Sequence, residues 1–300
     1  MPFSKATKTK SKLRLAISGP GGSGKTYTSL ALATVLAQGE RFAVIDSERG
    51  SASKFAGIFD FDVDDEWPRG FPPEAYIAKL RAAADAKYPV VIIDSMSHEW
   101  EGDGGCFEII DQLKSANPRG NDFTVWRTVT PRHKAFVEAI LTFPGHVIGT
   151  LRSKTEYVLE ANDQGKMVPR KVGLAPIQRN GFDYEFDVFA SMDLDNTLRV
   201  EKTRCEALRE PSSVWPKPGK GMADVLLAWL TDGVEPPTIE TPSDQQVAEF
   251  NELIASKHFD AETVESWLRA SGHVTWLNVP IDKFNKCVSA VRAMPEPAGA

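Results

Sequence analysis

The run Gly19-Pro20-Gly21-Gly22-Ser23-Gly24-Lys25-Thr26 fits the pattern GxxxxGK[ST]. These residue types at this spacing specify a phosphate cradle. Glycines let backbone N–H groups close around phosphate oxygens, and the N-terminus of a following helix adds positive potential. Lys25 is placed to reach the outer phosphates of ATP and the Thr26 hydroxyl to ligate Mg²⁺, with Tyr27 next along the nucleotide-binding stretch. A partner element is Val90-Val91-Ile92-Ile93-Asp94-Ser95, an apolar strand that delivers Asp94 to the carboxyl edge of a sheet. There its carboxylate would hold the metal through water. Hydrolysis also needs a group that orients water. Phe42-Ala43-Val44-Ile45-Asp46-Ser47-Glu48 carries Glu48 two residues past a strand end, in the place of a general base. Glu99 and Glu101, just past the Asp94 strand, are the competing carboxylates.

The elements that must hold these groups show in the apolar pattern. Leu13–Ser18, Arg41–Asp46, Val90–Asp94 and His146–Leu151 read as buried strands, short and mostly rich in β-branched residues. Helices are expected over Lys25–Gln38, closed by Gly39, and over Pro73–Ala86 and Pro131–Leu141. Strands alternating with helices predict an α/β fold with a parallel sheet covered on both faces. Tyr184–Ala190 and Thr197–Thr203 follow as a hairpin across residues 193–196. Asp232–Pro242, with Gly233, Pro236, Pro237 and Pro242, reads as a linker. Beyond it, Val247, Phe250 and Ile254 share a helical face, as do Val264, Trp267 and Leu268; Pro280 opens a third helix carrying Ile281, Phe284, Val288 and Val291.

Composition excludes several classes. With 42% hydrophobic and 25% charged residues in 300, the chain is no disordered polymer. No apolar run approaches the roughly 18 residues of a membrane span, and no apolar core follows the N-terminal lysines as a secretory signal requires. Cys106, Cys205 and Cys287 are odd in number and far apart, which argues for free thiols and against a disulfide scaffold or a zinc site. A net charge of −6 speaks against coating DNA by bulk attraction. The charge is unevenly spread, +5 over residues 1–14 and −5 from Gly233 onward, so any DNA contact is expected to be local and shared among subunits.

The order of these parts resembles the RecA/RadA recombinase group. Ile45-Asp46-Ser47-Glu48 matches the strand end that carries that group's catalytic glutamate, and Asp94-Ser95 matches its strand ending in Asp-Ser; the Asp-Glu usual in AAA+ motors is absent, and Pro20 stands where ParA/MinD-type ATPases have a lysine. More closely, GPGGSGKTYTSL, VIDSERGSASKF, VIIDSMSHEWEG, GTLRSKTEYVLE, VPRKVGLAPIQRNGFDYEFDV and VEKTRC resemble phage-encoded RecA-like ATPases of the single-strand annealing type, through about residues 11–206. The resemblance implies a RecA-like P-loop NTPase core with a mostly parallel twisted sheet, and location in the cytosol of a bacterial host. Together with the residue patterns at the two ends, which add a small C-terminal helical unit, this divides the chain into a basic arm at 1–12, an ATPase domain at 13–232, a linker at 233–246 and a helical domain at 247–295.

The same resemblance gives roles to further residues. Lys202 and Arg204 lie on the strand that, in RecA-like filaments, presents cations to the neighbouring subunit's γ-phosphate; an ordinary surface strand is the alternative. Phe3 and Ala6 fit the Phe-x-x-Ala plug by which RadA-type recombinases join protomers, a disordered tail being the alternative. Arg152 stands where a polar residue senses the γ-phosphate. From Arg152 to Phe182 there are six basic and three acidic residues, and Thr155–Glu160 and Lys166–Val172 are expected to pair as a hairpin. In RecA-like proteins this place binds single-stranded DNA. Lys154, Lys166, Arg170, Lys171 and Arg179 suit phosphates and Tyr157 suits a stacked base; a solvated hairpin or a subunit interface is the bland alternative.

Two readings follow. One is an ATP-hydrolysing recombination protein that forms a homo-oligomer on single-stranded DNA and promotes annealing or strand pairing. The other is a nucleotide-dependent switch or assembly ATPase acting on a protein partner, with the acidic C-terminal unit as its docking module.

Overall fold

The strand before the cradle, β1 (Arg14–Gly19), is buried along its whole length and its side chains alternate between two cores. Leu15 and Ile17 pack with Leu30 and Leu36 of α1 (Lys25–Leu36) and Met222 and Leu226 of α6 (Lys220–Thr231). Ala16 faces the other way, toward Tyr76 and Leu80 of α2 (Pro73–Asp85) and Phe136 and Ile140 of α5 (Asp122–Thr142). A sheet apolar on both faces must be covered twice, and helices do so here. The computed structural model describes residues 5–118, 121–161, 167–235, 241–270, 276 and 279–294. The chain divides into two units, Met1–Val234 and Glu235–Ala300.

The strands of the larger unit lie in the order β3-β2-β4-β5-β1-β7-β8-β9. Parallel pairing joins β3 (Phe61–Asp64), β2 (Phe42–Asp46), β4 (Val90–Asp94), β5 (His146–Ala161), β1 and β7 (Val188–Met192). The edge turns antiparallel through β8 (Thr197–Thr203) and β9 (Val214–Pro216). β5 thus separates the cradle strand β1 from the Asp94 strand β4. The fold is the mixed α/β P-loop NTPase architecture, with a mostly parallel sheet and a helical C-terminal region.

Several elements differ from the sequence expectation. The helix expected from Pro131 starts nine residues earlier and contains Pro131 on its exposed side. Proline removes one backbone donor there, and the apolar face of Val129, Phe136 and Ile140 keeps the helix going. The expected strand end at Leu151 does not exist. β5, 16 residues long, runs on to Ala161 and pairs antiparallel with β6 (Met167–Pro176), so the hairpin is a continuation of the central sheet. The expected strand Tyr184–Ala190 opens instead as a 3-10 turn over Phe182–Glu185. Two helices between β4 and β5 were not foreseen, α3 (Ser97–Glu101) and α4 (Cys106–Ala116).

The N-terminal segment is anchored from Lys8 onward. Lys10 N–H donates to the Val234 carbonyl (2.9 Å), Val234 N–H to Lys8 (3.0 Å) and Ser11 N–H to Leu230 (3.0 Å). In the smaller unit, α7 (Asp244–Ser256) starts with a capping box in which Ser243 and Gln246 exchange hydrogen bonds. With α8 (Ala261–Ala270) and α9 (Ile281–Ala293) it buries Phe250, Ile254, Trp276, Phe284 and Val291.

Candidate nucleotide site

The cradle is the turn between β1 and α1. Gly22 and Gly24 have φ of +83° and +89°, values that disfavour any side chain. At Gly19 a Cβ would lie 2.6 Å from the Met192 carbonyl oxygen, so the turn can pass close to β7 only as glycine. Lys25 Nζ donates to the carbonyls of Gly19 and Pro20, both at 2.8 Å. Burial lowers its pKa, opposed by the charges of Asp94 and Glu48. Ser23 Oγ is buried within this turn and has no hydrogen-bond partner among the described residues. Tyr27, 45% exposed, sets its ring edge-on to Phe55 and Phe59.

Thr26 Oγ1 donates to Asp94 Oδ2 at 2.6 Å, joining helix α1 to the end of β4. The other carboxylate oxygen of Asp94 accepts from the Thr150 hydroxyl on β5. Burial raises the Asp94 carboxyl and the two hydroxyls lower it. A buried carboxylate whose donors are neutral hydroxyls, beside a phosphate cradle, suits a hard cation such as Mg²⁺. Thr150 has no motif signature; only the register of β5 against β4 puts it there.

Glu48 is positioned by the two residues before it. The Asp46 carboxylate accepts from Glu48 N–H (2.6 Å) and Ala52 N–H (2.9 Å), shaping the turn. Ser47 Oγ accepts from Ser95 N–H (2.9 Å), donates to the Ser95 carbonyl (3.1 Å) and lies 2.8 Å from His98 Nδ1, locking the end of β2 to the end of β4. Glu48 then meets Arg152 in a two-pronged ion pair, Nε to Oε1 at 2.7 Å and Nη2 to Oε2. His98 Nε2 is 3.9 Å away. Burial alone would push the Glu48 carboxyl up; the hydrogen bonds and charge of Arg152, with His98, outweigh it and hold it below its usual value. Of the competing carboxylates, Glu101 pairs with Lys154 at 3.0 Å. Glu99 is fully buried against Cys106, His133 and Gln178.

Residues 11–214 match the family AAA_24, described as an AAA domain. This chain belongs to that family. The fold brings the cradle, Thr26 and Asp94 together at one sheet edge. No curated protein matches the sequence. Among solved structures the chain is similar to one described as an ATPase domain, at 12% identity and a TM-score of 0.38, over 65% of this chain and 78% of that one.

The remaining singled-out residues fall in three places. Lys202 Nζ donates to the carbonyls of Asp183 (3.1 Å), Tyr184 (2.6 Å) and Phe186 (2.6 Å), and Arg204 pairs with Asp187 at 3.1 Å, all within the same chain. Ala6 is exposed; Phe3 and Lys166 lie outside the described residues. Tyr157 and Lys171 are paired in backbone register on the β5–β6 ladder, with Arg170 next along it.

Lys154 and Arg179, at opposite ends of the insert, come together at the root of the hairpin on a cleft of about 550 Å³. Its wall is aromatic. Trp100 and Trp126 stack at 6.3 Å, Phe107 is edge-on to Trp100 at 5.2 Å, and the Arg179 guanidinium lies 5.9 Å over Trp126. Trp100 and Trp126 sit on different helices, α3 and α5, 26 positions apart in the chain, so no short motif marks the pair. Among the described residues no helix is long and apolar enough to cross a membrane.

Proposed function

We propose that this chain is an Mg²⁺-dependent ATPase of phage recombination type, acting in the cytosol of a bacterial host. It assembles as a homo-oligomer on single-stranded DNA and promotes annealing or strand pairing. The observation that carries this reading is the Glu48–Arg152 pair. Glu48 stands two residues past the end of β2, beside the Asp94 strand, which supports its reading as the general base. Arg152 is the first residue past the buried part of β5, the strand that becomes the DNA-candidate hairpin.

In this mechanism Lys25 and the backbone of the cradle bind the β- and γ-phosphates, and Thr26 and Asp94 hold Mg²⁺. The metal's chemistry is to neutralise charge on the phosphoryl oxygens. Glu48 takes the proton of the attacking water. The γ-phosphate competes with Glu48 for the Arg152 guanidinium, so ATP frees the base and at once pulls on the root of the hairpin. Lys202 and Arg204 supply cations to a neighbouring subunit once their contacts to carbonyls and Asp187 are exchanged, and Phe3 and Ala6 join protomers.

On the DNA side, the aromatic wall accepts an unpaired base and Lys154, Lys166, Arg170, Lys171 and Arg179 hold phosphates, with Tyr157 as a second stacking ring. Stacking on such rings is worth about 1–3 kcal/mol per base and tolerates any sequence. The test is ATPase rate with and without single-stranded DNA, with particle size read in the same samples. Stimulation together with assembly is expected. Full turnover with neither effect would favour the second reading, a switch acting on a protein partner, which the −5 charge from Gly233 onward favours as a docking surface unsuited to DNA.

A further inference from the structure

Beneath the tryptophan wall three side chains from three helices converge. Glu99 of α3 and Cys106, the first residue of α4, are fully buried, and His133 of α5 is 4% exposed. Cys106 Sγ is 3.1 Å from Glu99 Oε1, His133 Nδ1 is 3.1 Å from the same oxygen, and one donor atom from each residue lies within 4.8 Å of the other two. Gln178 Nε2 donates to Glu99 Oε2 at 3.1 Å.

A carboxylate withdrawn this completely from water needs a positive partner, since buried charges are paired or bound to metal. Among the described residues Glu99 has no lysine or arginine within ion-pair distance. Arg132, on the same helix as His133, grips Glu74 with two hydrogen bonds of 2.7 and 2.8 Å. The partners of Glu99 are a thiol, an imidazole and an amide, none of them permanently cationic.

We propose that Glu99, Cys106 and His133 form a binding site for one zinc ion, independent of the nucleotide site. The donor set of one thiolate, one imidazole nitrogen and one carboxylate oxygen is the mixture zinc selects, and a water molecule completes four-coordination. On binding, the Cys106 thiol proton leaves to solvent, and His133 ligates through Nδ1 with its proton on Nε2. Without the ion, burial and the neighbouring Glu99 charge hold the thiol protonated; a divalent cation reverses both effects. Gln178 also lines the cleft above, which gives the ion a way in. The ion would staple α3, α4 and α5, the helices that carry Trp100, Phe107 and Trp126.

The spacing hid this site. Cys106 comes seven positions after Glu99 and His133 a further 27 after that, so no short motif marks it. The test is cobalt titration of the full chain, purified and stripped of metal, with Co²⁺ as the probe. Saturation at one equivalent with an intense near-ultraviolet thiolate-to-cobalt band is expected, lost in Cys106→Ser and kept in Cys205→Ser and Cys287→Ser. A folded wild-type chain that gives no such band overturns the site, as does a band that follows Cys205 or Cys287. Should Cys106→Ser fail to fold, His133→Asn serves in its place: it should weaken the band and its affinity, and an unchanged titration also overturns the assignment.

Discussion

His146 opens β5, the strand that carries Thr150 and Arg152, and it is built to be neutral. Its Nδ1 accepts a hydrogen bond from Leu13 N–H at 2.9 Å, in a site 5% exposed and beside Arg14. Burial, with the charges of Lys12 and Arg14, pushes its pKa down to about 4 from an ordinary 6.5. The folded state therefore resists protonation that the unfolded chain accepts. Stability from this group is complete above pH 6.5 and is lost as pH falls toward 4. The difference corresponds to roughly 3 kcal/mol at full protonation, of which roughly 2 kcal/mol is lost between pH 7 and 4.5. Denaturant unfolding of the full chain, followed by circular dichroism at the two pH values, measures it. His146→Gln keeps an acceptor for Leu13 and removes the titration. It should be less stable than wild type at pH 7, through altered packing, but lose about 2 kcal/mol less on acidification. Parallel losses in the two proteins would refute a neutral, buried imidazole at this position.

At the nucleotide site, Glu48→Gln should cut ATP turnover by about 10²–10⁴-fold while nucleotide binding persists; unchanged turnover would show that another group is the base. Arg152→Ala removes the main opposition to burial at Glu48, leaving His98 and Ser95, so its carboxyl should rise and the acid limb of the pH–rate profile move to higher pH; a limb that stays put argues against the pair. Trp126→Ala and Arg179→Ala should each weaken single-stranded DNA binding, with a flatter salt dependence only for the arginine, read by fluorescence anisotropy over a salt series. Identical salt slopes would place the cation elsewhere. Gly19→Ala puts a methyl 2.6 Å from a backbone oxygen and should destabilise the chain by about 1–3 kcal/mol in thermal unfolding; a neutral result would mean that β7 yields.

The cradle, the Asp94 strand and the alternation of strands and helices were legible because each is local. Glycines at fixed offsets, a five-residue apolar run ended by aspartate, and apolar faces of period 3.6 need no knowledge of distant residues. The same holds for the smaller unit, whose expected apolar positions Phe250, Ile254, Phe284 and Val291 do form its core. Helix boundaries were read less well where a local rule lost to packing, as at Pro131, which the buried face of α5 overrides.

Contacts between distant segments were decided by tertiary structure alone. Thr150 reaches Asp94 because β5 lies beside β4, and Arg152 reaches Glu48 over 104 residues of chain. The stack of Trp100 on Trp126 and the convergence of Glu99, Cys106 and His133 depend on how three helices fold over one sheet end. A lone buried histidine, cysteine or glutamate reads from sequence as packing, since its partners are set by three-dimensional proximity and not by spacing. The sequence by itself thus determined the glycine-rich turn, the lysine and threonine that follow it, and the apolar strand that ends in Asp94, because each is a local pattern. The fold determined what lies around that turn: Glu48 held by Arg152 at the root of a hairpin, and an aromatic wall above a buried carboxylate, both made by segments far apart in the chain.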